Sequence, residues 1–130
     1  MTAFTKETEQ KMRDLGQSLK LQFDFAKAAD MTQQKDQLQF AQNNAKSALL
    51  MIDLIQELGI SKADDAGMLE QMAKIAEDNG SDAGDLLKKL APTVRAVNTE
   101  AAQVLKTKMQ KGETMTGADL NGIFRKHLTP

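Results

Sequence analysis

Few side chains in this 130-residue sequence could do chemistry. It contains no cysteine and one histidine, His127. Without cysteine the chain can form no disulfide, no thiolate metal site and no cysteine nucleophile. His127 lies three residues from the end of the sequence, where catalytic groups are poorly held. We therefore interpret His127 as a helix-end residue favoured by the helix dipole, and we expect that the chain is not an enzyme.

Two segments have the composition of ligand-binding loops but not the required spacing. In EDNGSDAGD, residues 77–85, a calcium loop starting at Asp78 would need glycine where Ala83 stands. In GETMTGADLNG, residues 112–122, no Lys-Ser or Lys-Thr follows the glycines, as a phosphate loop requires. The carboxylate metal motif Glu-x-x-His is also missing. We expect no metal site and no bound cofactor.

One cofactor alternative remains open. Methionine with histidine is a known pair of axial haem ligands, and Met12 with His127 would supply it. The stretch MRDLGQSLK, residues 12–20, together with QQKDQL, residues 33–38, resembles b-type cytochromes of the four-helix-bundle class. The resemblance implies a haem held by Met12 and His127. It covers less than a fifth of the chain, so we do not assign the family.

The bulk composition is typical of one globular domain over residues 1–130. Apolar residues make up 41% and charged residues 27%, and the aromatic residues are five phenylalanines. No apolar run is long enough to span a membrane, and no secretory signal is visible. We expect a cytoplasmic protein by default. Export without a signal and packaging in a virion stay open.

Charge is divided unevenly along the chain. Residues 61–87 carry two basic and seven acidic side chains, whereas residues 88–130 carry eight basic and three acidic ones. Opposite charges within one chain favour internal packing, and a nucleic-acid binder usually adds aromatic residues for stacking. We expect no nucleic-acid partner.

Apolar spacing in steps of three and four predicts an all-α, bundle-like fold. A helix beginning at Thr2 or Thr5 and a second over 33–58 should form a long antiparallel hairpin within residues 1–59. Its arms should pair Phe23 near Leu38 and Met12 near Leu49. Residues 60–130 should form three or four shorter helices: from 61 or 64 to 78, from 82, from Pro92 to 111, and after Thr116.

The second helix carries the strongest apolar pattern. A heptad-like stripe is predicted to face inward, and residues 48–55 are apolar almost all round, which predicts the centre of the fold. The stripe consists of Leu38, Ala41, Ala45, Ala48, Ile52 and Ile55.

The segment SLKLQFDF, residues 18–25, alternates like a strand, but no other segment offers a partner strand. On a helix, Leu21 and Phe25 lie opposite the main stripe, and Phe40 shows the same displacement on the second helix. We expect these three residues to form a second apolar cluster, either covered by the later helices or open to a partner protein or a second copy.

These patterns predict a non-catalytic protein–protein interaction module, such as an adaptor, an accessory component or a structural component. Self-association through the cluster of Leu21, Phe25 and Phe40 is one form of it. The alternative is a carrier of haem or another small apolar ligand, held in a cavity lined by methionine and leucine.

Overall fold

The computed structural model describes residues 4–128, which form five α-helices and no strand. The helices pack against one another, so the predicted all-α, bundle-like fold is confirmed. Thr5 caps the first helix by accepting a hydrogen bond from the backbone N–H of Thr8 at 3.1 Å, and Thr2 lies outside the described residues. The helices are α1 (Lys6–Ala28), α2 (Gln34–Leu58), α3 (Asp65–Asp78), α4 (Asp85–Gln110) and α5 (Gly117–Leu128).

The hairpin of α1 and α2 forms as predicted, and residues 18–25 are helical. Its register differs from the predicted one. Ser18 contacts Ser47 at 2.8 Å, and the side-chain amide of Gln22 donates to Asn44 at 3.1 Å. The predicted pairing of Phe23 with Leu38 is therefore wrong by about one helical turn, because these polar contacts fix the level of the two arms.

The predicted break at Pro92 is wrong. Pro92 lies inside α4, which at 26 residues is the longest helix, so only α3 and α5 are shorter than the hairpin arms. An interior proline removes one backbone hydrogen bond and costs about 3 kcal/mol. Leu87, Ala91 and Val94 on either side of it are buried in the same core, and this burial offsets the cost.

Two apolar clusters form the interior, and α1 contributes to both. Met12 and Leu15 of α1 are fully buried with residues of α2, α3 and α4. The second cluster lies at the other end of α1, where Ala26 meets Ile123 and Phe124 of α5. The helix α4 also contributes to both, with Val94 in the first cluster and Val97 in the second, so α1 and α4 connect the two clusters.

The orientation predicted for α2 is wrong. Its apolar stripe faces outward: Leu38 is 57% exposed and Ile52 is 50% exposed. The buried residues of α2 are Ser47, Leu54 and Leu58, on the opposite side of the helix. Residues 48–55 are thus not surrounded by the rest of the chain. The physical reason is that hydrogen bonds hold the Ser47 hydroxyl against α1, which turns the stripe away.

The loop between α1 and α2 is tied to α5. The Asn121 side chain accepts a hydrogen bond from the Met31 backbone N–H at 2.8 Å and donates to Asp30 at 3.3 Å. Hydrogen bonds from Thr32 lower the pKa of Asp30 below its usual range. Gly117 lies so close to this loop that a Cβ atom there would lie 2.0 Å from the Met31 carbonyl oxygen.

Ion pairs join the acidic and basic segments of the sequence. Arg95 on α4 contacts Glu70 on α3 at 2.5 Å and Asp64 at the start of α3 at 3.4 Å. Part of the charge division along the chain is therefore accounted for by internal packing.

Candidate interaction surface

The outward stripe of α2 is the most regular apolar feature on the surface, and we call it the α2 face. Its residues follow one another in alternating steps of three and four, the heptad spacing by which helices pair in coiled coils. Five of the six are exposed, and Ile55 is partly buried. The α2 face consists of Leu38, Ala41, Ala45, Ala48, Ile52 and Ile55.

No charged side chain interrupts the α2 face. At about 100° per residue, all charged residues of α2 lie roughly 100° or more around the helix from its centre. They are Lys35, Asp36, Lys46, Asp53 and Glu57. The flanking positions within about 80° of the centre carry only uncharged residues, and Lys35 and Asp53 are the nearest charges, at about 100°. These flanking residues are Gln37, Gln42, Asn44, Leu49 and Gln56. Depletion of charge is a property of interface cores.

Half of the α2 face, namely Ala48, Ile52 and Ile55, lines a mainly apolar groove of about 460 Å³ between α2 and α4. Leu19 and Phe23 of α1 form its floor. The α2 wall includes Met51 and Ile52, and the α4 wall includes Ala101. Met68 and Leu69 of α3 close one end of the groove. Leu120 and Phe124 of α5 close the other end.

A chain of hydrogen bonds between α1 and α2 reaches the edge of this groove. The Ser18 and Ser47 hydroxyls are hydrogen-bonded to each other, Ser47 donates to the Gln22 carbonyl oxygen at 3.0 Å, and the Gln22 amide donates to Asn44. Ser18, Gln22 and Ser47 are all buried. Among the described residues no buried side-chain nitrogen or oxygen lacks a partner, so this polar chain is satisfied.

The structure keeps Phe25 and Phe40 together but separates Leu21 from them. The Phe40 ring packs against Phe124 with centroids 5.2 Å apart, and Phe25 packs against the same α5 cluster. The later helices therefore cover both phenylalanines. Leu21 lies elsewhere, 61% exposed, in a shallow depression between α1 and α2 that it shares with Leu49. The single surface predicted from Leu21, Phe25 and Phe40 does not form.

Met12 and His127 are not brought together. Met12 is fully buried in the first cluster. His127 lies at a surface cavity beside Asp24 and Lys27, at least 11 residues beyond Met12 along α1. At 1.5 Å per residue, 11 residues span at least about 16 Å along α1, which does not fit two ligands of one haem iron.

The His127 ring instead links α5 to α4. Its Nε2 atom lies 2.9 Å from Glu100, and Lys126 contacts the same carboxylate at 2.8 Å. The hydrogen bond from Lys126, and to a smaller extent that from His127, lowers the pKa of the Glu100 carboxyl below its usual range. Within residues 4–128 no three histidine, aspartate or glutamate side chains are grouped as a metal site would need.

A second exposed apolar patch lies at the end of α4. It contains Leu105 and Met109, the latter 67% exposed. Unlike the α2 face, this patch carries charged neighbours, because Lys106, Lys108 and Lys111 are on the same helical segment.

Sequence reasoning identified the residues of the α2 face but assigned them to the interior. The stripe that is actually inward reads Phe40, Ser47, Leu54 and Leu58. A serine in the middle of it concealed the pattern. The small size of the side chains was the available signal that this stripe is not the main core face, since three of the six residues of the α2 face are alanines.

Comparison with protein-family models, with curated proteins and with solved structures gives no match to this chain. No helix among the described residues is long and apolar enough to cross a membrane.

Proposed function

We propose that the chain is a non-catalytic protein–protein interaction module that binds through the α2 face. The observation that carries this proposal is an uncharged heptad stripe, over Leu38 to Ile55, on the outside of the fold. Its non-catalytic character is supported by the single imidazole, His127, which pairs with Glu100 between two helices.

Burial of the α2 face would be favourable. Fully burying a leucine or isoleucine side chain contributes about 1.5–3 kcal/mol. Leu38 and Ile52 of the face, and Leu49 that flanks it, are each half exposed or more. Covering these three side chains is therefore worth about 3 kcal/mol before the alanines are counted.

The test places a photo-crosslinking amino acid at Ile52, with a matched variant carrying it at the exposed Lys106 of α4. In lysate from the source cells, we expect Ile52 to give an adduct of one defined mass that Ala45→Arg abolishes. Position 106 should not give this adduct. Equal adducts at both positions, or none at Ile52, would contradict the proposal.

A carrier of a small apolar ligand is the second candidate, and the groove favours it. Its volume of about 460 Å³ falls within the range of ligand pockets. Titration with a fluorescent fatty acid would test this function. Ala101→Trp should fill the groove and weaken binding, whereas Ala102→Trp, one position away and outside the groove lining, should not. Equal effects of the two substitutions would reject the carrier.

A further inference from the structure

We propose that the partner of the α2 face is a second copy of this chain, bound antiparallel about a two-fold axis at the level between residues 46 and 47. This inference rests on the proposed function and names its partner. It is supported by the order of large and small residues along the stripe and by the distribution of charge, and the area of the face sets the expected affinity.

The stripe is complementary to itself when reversed. An antiparallel pairing centred between residues 46 and 47 sets Ala45 against Ala48 of the second copy. It also sets Ala41 against Ile52, and Leu38 against Ile55. The small Ala41 thus meets the large Ile52 beside a central pair of alanines, which allows the helices to approach closely there, and the large Leu38 and Ile55 meet at the ends. A two-fold axis generates every such contact twice.

Charge favours this self-pairing on α2 and opposes it on α4. Two copies of an uncharged face meet without repulsion, since Lys46 and Asp53 point away from its centre. The patch at the end of α4 has Lys106 beside Leu105 and Met109, so pairing two such patches would bring the Lys106 side chains of two copies together. Like charges in contact disfavour such a pairing, so α2 is the face that suits a second copy.

The size of the α2 face indicates a reversible dimer. The 25 residues of α2 make a helix about 37 Å long and 10 Å wide, so one side of it presents roughly 400 Å² in projection. A standard interface buries about 800 Å² on each partner, and smaller interfaces are typically weak. We expect a dimer that dissociates on dilution through the micromolar range.

The first experiment measures molar mass by light scattering on the purified chain across a concentration series. The mass should rise from 14.3 kDa toward twice that value. Ala45→Arg should stay at the monomer mass at every concentration, with unchanged circular dichroism, because it places a bulky charge at the centre of the face. The matched substitution Ala102→Arg, on an exposed alanine of α4, should dimerise like the parent chain.

A second experiment tests the direction of pairing, using the absence of cysteine from the sequence. Ala45→Cys and Ala48→Cys are prepared separately, then mixed and oxidised. The mixture should form disulfide-linked dimers faster than either variant alone, since the antiparallel register sets position 45 opposite position 48. Faster linking within each single variant would indicate parallel pairing and overturn the proposal.

The outcomes separate this inference from the proposed function. A parent chain that stays monomeric, or a dimer that survives Ala45→Arg, overturns the inference. If the chain is monomeric and the crosslinker at Ile52 still captures one protein of another mass, the partner is not a second copy. That result leaves the interaction function standing.

Discussion

Replacing Ser47 by alanine tests the orientation of α2, on which the proposed interaction surface depends. The Ser47 hydroxyl is hydrogen-bonded to the Ser18 hydroxyl and donates to Gln22 at 3.0 Å, in a part of the hairpin closed to solvent. The substitution Ser47→Ala leaves the Ser18 hydroxyl and the Gln22 carbonyl oxygen buried without these partners. It adds no bulk and suits a helix, so the loss of hydrogen bonding dominates.

The expected loss of stability follows from these two groups. A buried donor or acceptor left unpaired costs about 1–3 kcal/mol. Better helix propensity of alanine returns about 0.5 kcal/mol, so we expect a net loss of about 2 kcal/mol. At a slope of about 2 kcal/mol per molar urea, the unfolding midpoint falls by about 1 M.

Urea unfolding followed by circular dichroism measures this shift, at a concentration low enough to keep the chain monomeric. The control Thr107→Ala removes a hydroxyl that bonds only to its own helix, at the Gln103 carbonyl, and should change stability by less than about 0.5 kcal/mol. Ile52→Ser, on the exposed face, should also cost little in the monomer. A neutral Ser47→Ala together with a loss above about 2 kcal/mol for Ile52→Ser would show that α2 faces the other way, and would refute the surface.

Three further predictions concern α5 and its contacts. Phe124→Ala should destabilise the chain by about 3–5 kcal/mol in the same urea assay, because the ring is buried against Phe40; a loss below about 1 kcal/mol would contradict this packing. Gly117→Ala should weaken the docking of α5, since its Cβ would meet the Met31 carbonyl at 2.0 Å, whereas Gly122→Ala has open space and should be neutral or stabilising. Hydrogen exchange of α5 amides distinguishes these two glycines, and equal protection in both variants would reject the contact. The lowered pKa of Asp30 contributes stability that is present above the unfolded value near 3.8 and is lost as pH falls through the lower folded value. Asp30→Asn should therefore reduce the acid dependence of stability below that pH, and an unchanged dependence would show that Asp30 is not held in this way.

Helix positions were predictable because capping and periodicity are local properties. Thr5, Gly59 and Thr116 mark helix ends in the sequence and in the structure, and the hairpin followed from a connection of only a few residues. The continuation of α4 through Pro92 was not predictable in this way. It depends on the packing of Leu87 and Val94 into one core, which outweighs a local preference.

The rotation of α2 about its axis could not be derived from apolar spacing alone. Two stripes compete on this helix, and the inward one contains Ser47. A buried serine is favourable only when its partners are in place, and those partners, Ser18 and Gln22, come from another helix. The separation of Leu21 from Phe25 and Phe40 has the same origin, because the register of the hairpin and the position of α5 decide which residues meet.

The inner side of α2 is partly polar and its outer side is apolar, and the proposed dimer accounts for this arrangement. A helix that used only its inner face would need apolar residues there and charged residues outside. In α2 the inner face includes Ser47, whereas the outer face has no charge over the length of its stripe.

The sequence of residues 48–55, apolar almost all round, does not fit the surroundings that one chain provides. In the proposed dimer α2 lies between α1 of its own chain and α2 of the second copy, and both of its sides are then covered. The same residues that gave a wrong expectation for the single chain thus agree with the proposed assembly, and Ala45→Arg separates the two by leaving the fold intact while removing the second partner of α2.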